Sequence, residues 1–175
     1  MASRIYSIFN GAQPGAAQIA VQATSTGIHS LFQVTFPSTN GAEVIEWGFS
    51  GSGSAAAQPG IVELFTSTGG ATTTGFTQYN AADVNRLSFS ANAVVSGITI
   101  AMPSAASAWN PAAAGTEVTP TGVRLIDAQE LPATAPFIKQ FPLERGGQVN
   151  FSEIVRLRVN FSVTTSALCY MVWQE

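Results

Sequence analysis

Few side chains in this sequence can do chemistry, and their spacing limits what that chemistry could be. His29 is the one histidine and Cys169 the one cysteine. Nucleophilic catalysis needs a base beside the nucleophile, and neither a G-x-S-x-G elbow nor a Ser-x-x-Lys pair occurs. His29, at a turn-to-strand boundary, reads as a plain surface or half-buried histidine. Glu43, Glu46 and Glu63 flank one hairpin, and Asp127 with Glu130 ends another strand. Paired carboxylates of that kind suit glycoside hydrolysis, but charges that keep edge strands from pairing wrongly explain them as well. A metal site would draw on one histidine and ten scattered carboxylates with no pair at ligand spacing. Gly48, Gly51 and Gly53 precede no helix or lysine, so they make no phosphate loop. The residue chemistry therefore predicts a non-enzymatic protein with no catalytic residue, metal or cofactor.

Arg156 and Arg158 are more suggestive. They are two of only seven basic residues and lie two apart, which puts both guanidinium groups on one face of a strand, about 7 Å apart. There each could pair with a carboxylate of a neighbouring subunit. The alternatives are plain solvation, or pairing within the chain to Glu43 or Glu63 on an adjacent strand. Trp109 sits in the Ala/Pro/Gly-rich stretch 104–120 and is the apolar loop residue most suited to an interface. With Tyr79 it could instead stack on a sugar.

The elements that must position these residues are strands. Val155, Leu157, Val159, Phe161 and Val163 alternate with Arg156, Arg158, Asn160 and Ser162, the period of a strand with one buried face. After 164–166, Leu168, Tyr170 and Val172 alternate with Cys169, Met171 and Trp173. That strand is apolar on both faces, which predicts a central place in its sheet. A short polar linker between two such runs predicts a hairpin. Cys169 reads as an inert core side chain in this strand. Further strands are expected over 4–9, 18–23, 32–36, 44–49, 61–66 and 123–128, with Asn40-Gly41 as a hairpin turn. Extended segments are expected over 87–89 and 94–102, and one or two helical turns over 81–87. No 3.6-residue period is sustained and no repeat recurs at a fixed interval. Eight to ten short strands with turn signals between them predict a single all-β domain over 1–175. It is expected to be an antiparallel, jelly-roll-like β-sandwich with long Gly/Ala/Thr/Pro-rich loops. Residues 1–15 are free to form an arm.

Composition narrows the function classes. Charged residues are 10% of 175, and Ser with Thr number 34, against about 25% charge in ordinary domains. Like-charge repulsion does little to keep such a surface from associating, which predicts a homo-oligomer, with a trimer favoured, packed against other subunits. A net charge of −3 offers no basic field for nucleic acid. No apolar run is long enough for a membrane helix, and the first residues lack a signal-peptide core. Without such a signal, the N-glycosylation patterns at Asn150 and Asn160 read as chance matches.

Three segments carry a resemblance: 43–65 (EVIEWGFSGSGSAAAQPGIVELF), 123–146 (VRLIDAQELPATAPFIKQFPLERG) and 153–175 (EIVRLRVNFSVTTSALCYMVWQE). Together they cover about 70 residues, and in that order they resemble small virion structural proteins of tailed bacteriophages, of the capsid decoration or cement kind. The middle of the chain, 66–121, has no counterpart in this likeness. The resemblance implies a protein made in the host cytoplasm that binds the major capsid protein on the outer capsid surface and stabilises the shell. It carries over no catalytic residue. The alternative expectation is a carbohydrate- or receptor-binding β-module of a phage fibre or tail. Discriminating the two requires shell binding on one side and glycan binding on the other.

Overall fold

A computed structural model of the chain describes residues 4–10, 19, 21–24, 26–53, 58–70, 76–79, 85–87, 98–103, 119–142 and 144–175. Thirteen strands follow in order: Ile5–Phe9 (β1), Gln22–Thr24 (β2), Gly27–Thr35 (β3), Ala42–Ser52 (β4), Gly60–Ser67 (β5), Phe76–Tyr79 (β6) and Asn85–Arg86 (β7). Then come Thr99–Pro103 (β8), Arg124–Leu131 (β9), Phe137–Gln140 (β10), Gly147–Val149 (β11), Ile154–Phe161 (β12) and Thr165–Gln174 (β13). One sheet has the order β10-β4-β13-β1-β7, with β11 also on β4 and β2 also on β13. The other runs β6-β8-β3-β12-β5-β9. We refer to them as the β13 sheet and the β12 sheet. All pairings are antiparallel, so the expected all-β sandwich is what forms.

The pairing is nested. The first strand pairs with the last (β1 with β13), then β3 with β12, β4 with β11 and β10, and β5 with β9. This is one long antiparallel ribbon wrapped on itself, and the contacts β13·β4 and β12·β5 are where successive turns of the wrap meet. With β10 and β11 sharing one position beside β4, these strands fill the eight places of the jelly-roll connectivity. Strands β6, β7 and β8 lie between β5 and β9 in the chain and extend the sheet edges beside β3 and β1.

Alternation decides which side chains meet between the sheets. Leu157, Val159 and Phe161 from β12 face Cys169, Met171 and Trp173 from β13, within one cluster that includes Phe32, Val34, Val44, Trp47, Phe49, Val62 and Leu64. Aromatic rings knit it together. Trp173 stacks on Tyr6 at 5.7 Å and meets Phe36 edge-on at 6.2 Å, and Phe49 stacks on Phe161 at 5.8 Å. Such pairs each add about 0.5–1.5 kcal/mol beyond their buried area. Cys169 is buried here as expected, and burial pushes its thiol well above the ordinary value. Asn10 extends the β1 ladder with its side chain: Nδ2 donates to the Ala167 carbonyl at 3.0 Å, and the Cys169 N–H donates to Oδ1 at 2.9 Å.

Three expectations need correction. The β12–β13 pair is no hairpin: the strands lie in opposite sheets, and 162–164 arches between them. Asn40-Gly41 likewise joins β3 to β4 across the sandwich rather than within a sheet. A short polar linker can close a hairpin or step over about 10 Å to the facing sheet, and here the nested ribbon requires the step. The central place of β13 does hold, between β4 and β1. Of 81–87, the part described as an element is β7, a strand and not a helix, while 81–84 lies outside the described residues.

Candidate functional site

The outward face of the β12 sheet carries both arginines. Cross-strand register places Arg156 between Gln33 and Phe65, and Arg158 between Ser30 and Glu63. One row further along, Asn160 lies between Ile28 and Ile61. Periodicity thus puts the two guanidinium groups on one face as expected, but that face is not uniform.

At the Arg156 end it is covered. Arg156 is fully buried (0% exposed), and Gln33, Phe65, Ser67, Ala101 and Ile154 around it are buried too. Its Nη2 donates to Gln33 Oε1 at 2.9 Å and also to the Gly70 carbonyl, and its Nε reaches the same Gln33 oxygen at 3.2 Å. Gly69 bridges to Thr121, so the two feet of the segment between β5 and β9 meet beside this spot. The expectation that Arg156 faces a partner is therefore overturned: it pins its own chain across the sheet. Arg158 is half-buried and pairs within the chain, Nε donating to Glu63 Oε1 at 2.6 Å, with its guanidinium 4.6 Å from the centre of the Phe65 ring. This is the intramolecular alternative, on the strand and with the glutamate it named. Trp109 lies outside the described residues, and of Tyr79 only the backbone, on β6, is described.

At the other end the same face is open. Ile28 is 41% and Ile61 47% exposed, on either side of Asn160. Leu125, 56% exposed on the edge strand β9, is opposite Phe65 and so belongs to the Arg156 row of this face, away from Ile28 and Ile61. Alternation alone could not bring Ile28 and Ile61 together from sequence, because they come from two strands, β3 and β5, far apart in the chain.

The outward face of the β13 sheet holds a cavity of about 460 Å³ over β4, β10 and β13. Ile5, Ile45 and Val172 contribute apolar surface, Phe141 an aromatic ring, and Glu46, Gln140, Glu144 and Gln174 the polar groups. Glu46 is held from two sides: the Tyr170 hydroxyl donates to Oε1 at 2.6 Å and Gln140 Nε2 to Oε2 at 3.1 Å. Burial first, and then this carboxylate, push the Tyr170 hydroxyl well above its ordinary value, so it stays a donor. The Tyr170 ring lies over Gly48, where any Cβ would overlap it, and so needs glycine beneath it. Glu43 is fixed in the same manner by Gln174 Nε2 at 2.6 Å and the Gly146 N–H at 2.8 Å. Glu144, at the lip, has φ of 63°, a left-handed conformation costly for a residue with a Cβ.

Glu43, Glu46 and Glu63 are thus not edge-strand charges. They sit on interior strands β4 and β5, with Glu63 on one face of the sandwich and the other two on the opposite face. Asp127 accepts from Trp47 Nε1 at 3.1 Å and Gln129 Nε2 at 2.9 Å, which makes it a rim brace between the sheets. His29 is buried opposite Val159 rather than at the surface. Among the described residues no three of His, Cys, Asp and Glu gather as a metal site, and no helix is long and apolar enough to cross a membrane. Sequence reading flagged Glu46 but missed Gln140, Phe141 and Gln174. The signal available was the alternation of Phe137 and Lys139 against Ile138 and Gln140, which marks β10 as a strand but not β4 as its partner. No family model matches this chain, and comparisons with curated proteins and with solved structures found no match either.

Proposed function

We propose that this protein is a non-enzymatic virion component that binds the outside of a phage capsid and stabilises the shell, as a head decoration or cement protein does. The observation that carries the reading is the open half of the β12-sheet face, where Ile28 and Ile61 stand exposed side by side on a molecule poor in charge. Apolar side chains grouped on one face of a small domain mark a contact surface. The jelly-roll connectivity supports the reading, since capsid and lectin domains are built on it, and so does the resemblance of segments 43–65, 123–146 and 153–175.

The mechanism needs no tight single site. Anything that binds the assembled shell and not its dissociated subunits stabilises it by mass action. Copies engaging several subunits of a lattice add avidity from weak contacts. The partner is the major capsid protein, the location the capsid surface after synthesis in the host cytoplasm, and the symmetric form a trimer at a lattice three-fold position.

Co-sedimentation of the purified protein with empty shells, assembled from the major capsid protein of the same genome, tests this. Saturable binding that raises the shell's melting temperature is expected. Protein left in the supernatant at micromolar concentration, together with saturable binding on a glycan array, would replace the proposal with the saccharide-binding reading.

A further inference from the structure

We infer that the cavity on the β13 sheet is a receptor for a guanidinium group on an aliphatic stem, an arginine side chain presented by a neighbouring shell subunit. The inference rests on the shell-binding reading for the source of that arginine, but its chemistry follows from the cavity alone.

The polar groups lining the cavity favour a donor. A carboxylate can only accept hydrogen bonds, so the contacts to Glu46 and Glu43 fix which end of each glutamine is which: both amides turn their nitrogen to a glutamate. Glu46 is locked in place by Tyr170 and Gln140 with one donor on each oxygen. A carboxylate offers about two acceptor sites per oxygen, which leaves room for a two-pronged donor approaching from the cavity. Glu144 adds a second negative charge at the lip, and no described lining residue is basic. Lys139, whose ammonium stands 5.9 Å from the Phe141 ring, is not part of the lining.

The apolar groups select the rest of the ligand. Ile5, Ile45, Val172 and the Phe141 ring give a surface along which a chain of methylenes can lie while its charged head meets the carboxylates. A planar guanidinium also stacks on an aromatic face, which an ammonium does less well. Holding Glu46 in advance lowers the ordering cost of binding, and this explains why Tyr170, Gly48 and Gln140 converge on one carboxylate. A neutral saccharide would stack on Phe141 and donate hydroxyls to the carboxylates, but it would gain no charge pairing from them.

Backbone amide NMR of the full chain, titrated with n-butylguanidinium chloride, n-butylurea and methyl glycosides, reads the site directly. Saturable shifts centred on Glu46, Gln140, Phe141 and Gln174 are expected for the guanidinium, with affinity at least about tenfold weaker for the isosteric neutral urea. Glu144→Gln, on the exposed lip, should keep the fold and weaken guanidinium binding several-fold, and Glu46→Gln should weaken it more. Equal shifts with urea, saturation by a glycoside instead, or binding unchanged in both variants would overturn the inference. Co-sedimentation separates it from the reading beneath it. Wild-type protein that binds shells without answering to guanidinium leaves shell binding intact and refutes the cavity's role. Guanidinium binding without shell binding does the reverse.

Discussion

The two arginines show how much the surroundings of one side chain decide. Arg156 and Arg158 share a strand, a face and a charge, yet one is sealed under Gly70 and the other lies half-open beside Glu63. Removing the first strands buried acceptors and opens a void. Arg156→Ala should cost about 3 kcal/mol, since each buried polar group left without its partner costs about 1–3 kcal/mol. Arg158→Ser should cost about 1 kcal/mol, the range of a partly exposed ion pair. Urea unfolding midpoints at unchanged slope separate the two, and equal losses would show that Arg156 is not the pin described above. Cys169 should label at least about a hundredfold more slowly in the native state than in denaturant, because reagent reaches it only through opening of the core.

Glu153 supplies the pH dependence. Burial alone would raise its pKa, but the backbone and side-chain donors of Asn150 and the Arg124 guanidinium outweigh that and hold it below its ordinary value of 4.5. The contacts are 2.9 Å from Asn150 N, 3.0 Å from Asn150 Nδ2 and 2.9 Å from Arg124 Nη2. A carboxylate with a depressed folded pKa binds fewer protons folded than unfolded. Its stabilisation is complete above the unfolded value and is lost as pH falls from about 4.5 through the folded one. Glu153→Gln cannot ionise, so its stability should fall less steeply than the wild type's between pH 5 and about pH 3. Parallel acid-unfolding curves for the two proteins would refute this.

At the scale of elements, what the sequence made legible was alternation. The inward set of β12 and both faces of β13 follow from a period of two, and so does the central position of β13. What alternation cannot say is which sheet a strand joins, because one short linker serves a hairpin or an arch. Nor does it say whether an outward face is covered, and Arg156 went astray on that point. The cavity stayed hidden for a related reason: β4 and β10 are neighbours only after the ribbon wraps. Deleting Leu168–Glu175 tests the element most strongly specified. It removes the ladder partner of β1 and most of that of β4, and the truncated chain should be insoluble or molten, lacking near-ultraviolet dichroism. Cooperative thermal unfolding of the truncated chain would contradict the placement.

For the whole molecule, the two broad faces carry different surfaces. The β12 sheet offers apolar side chains at its open end, and the β13 sheet a cavity with negative charge. Changing Ile28 and Ile61 together to Ser should leave the melting temperature within a few degrees, since exposed substitutions stay within about 0.5 kcal/mol each, while shell binding weakens severalfold. A double variant that melts much lower and binds shells normally would place the two isoleucines in the chain's own packing. Sedimentation velocity at micromolar concentration should show a trimer, and monomer alone would leave the lattice as the sole organiser of three-fold contacts.

The nesting of the strands also has a consequence in time. Ile5 lies opposite Gln174, and Ser7 opposite Val172. At about 5–20 residues per second on the ribosome, β1 leaves the exit tunnel many seconds before the strand that completes it exists. Throughout that interval one edge of every early strand in the β13 sheet is an open template for another nascent chain. The β13 sheet therefore cannot close before β13 has emerged, and yield in the cell should respond to chaperone supply and translation speed as well as to the stability of the finished protein.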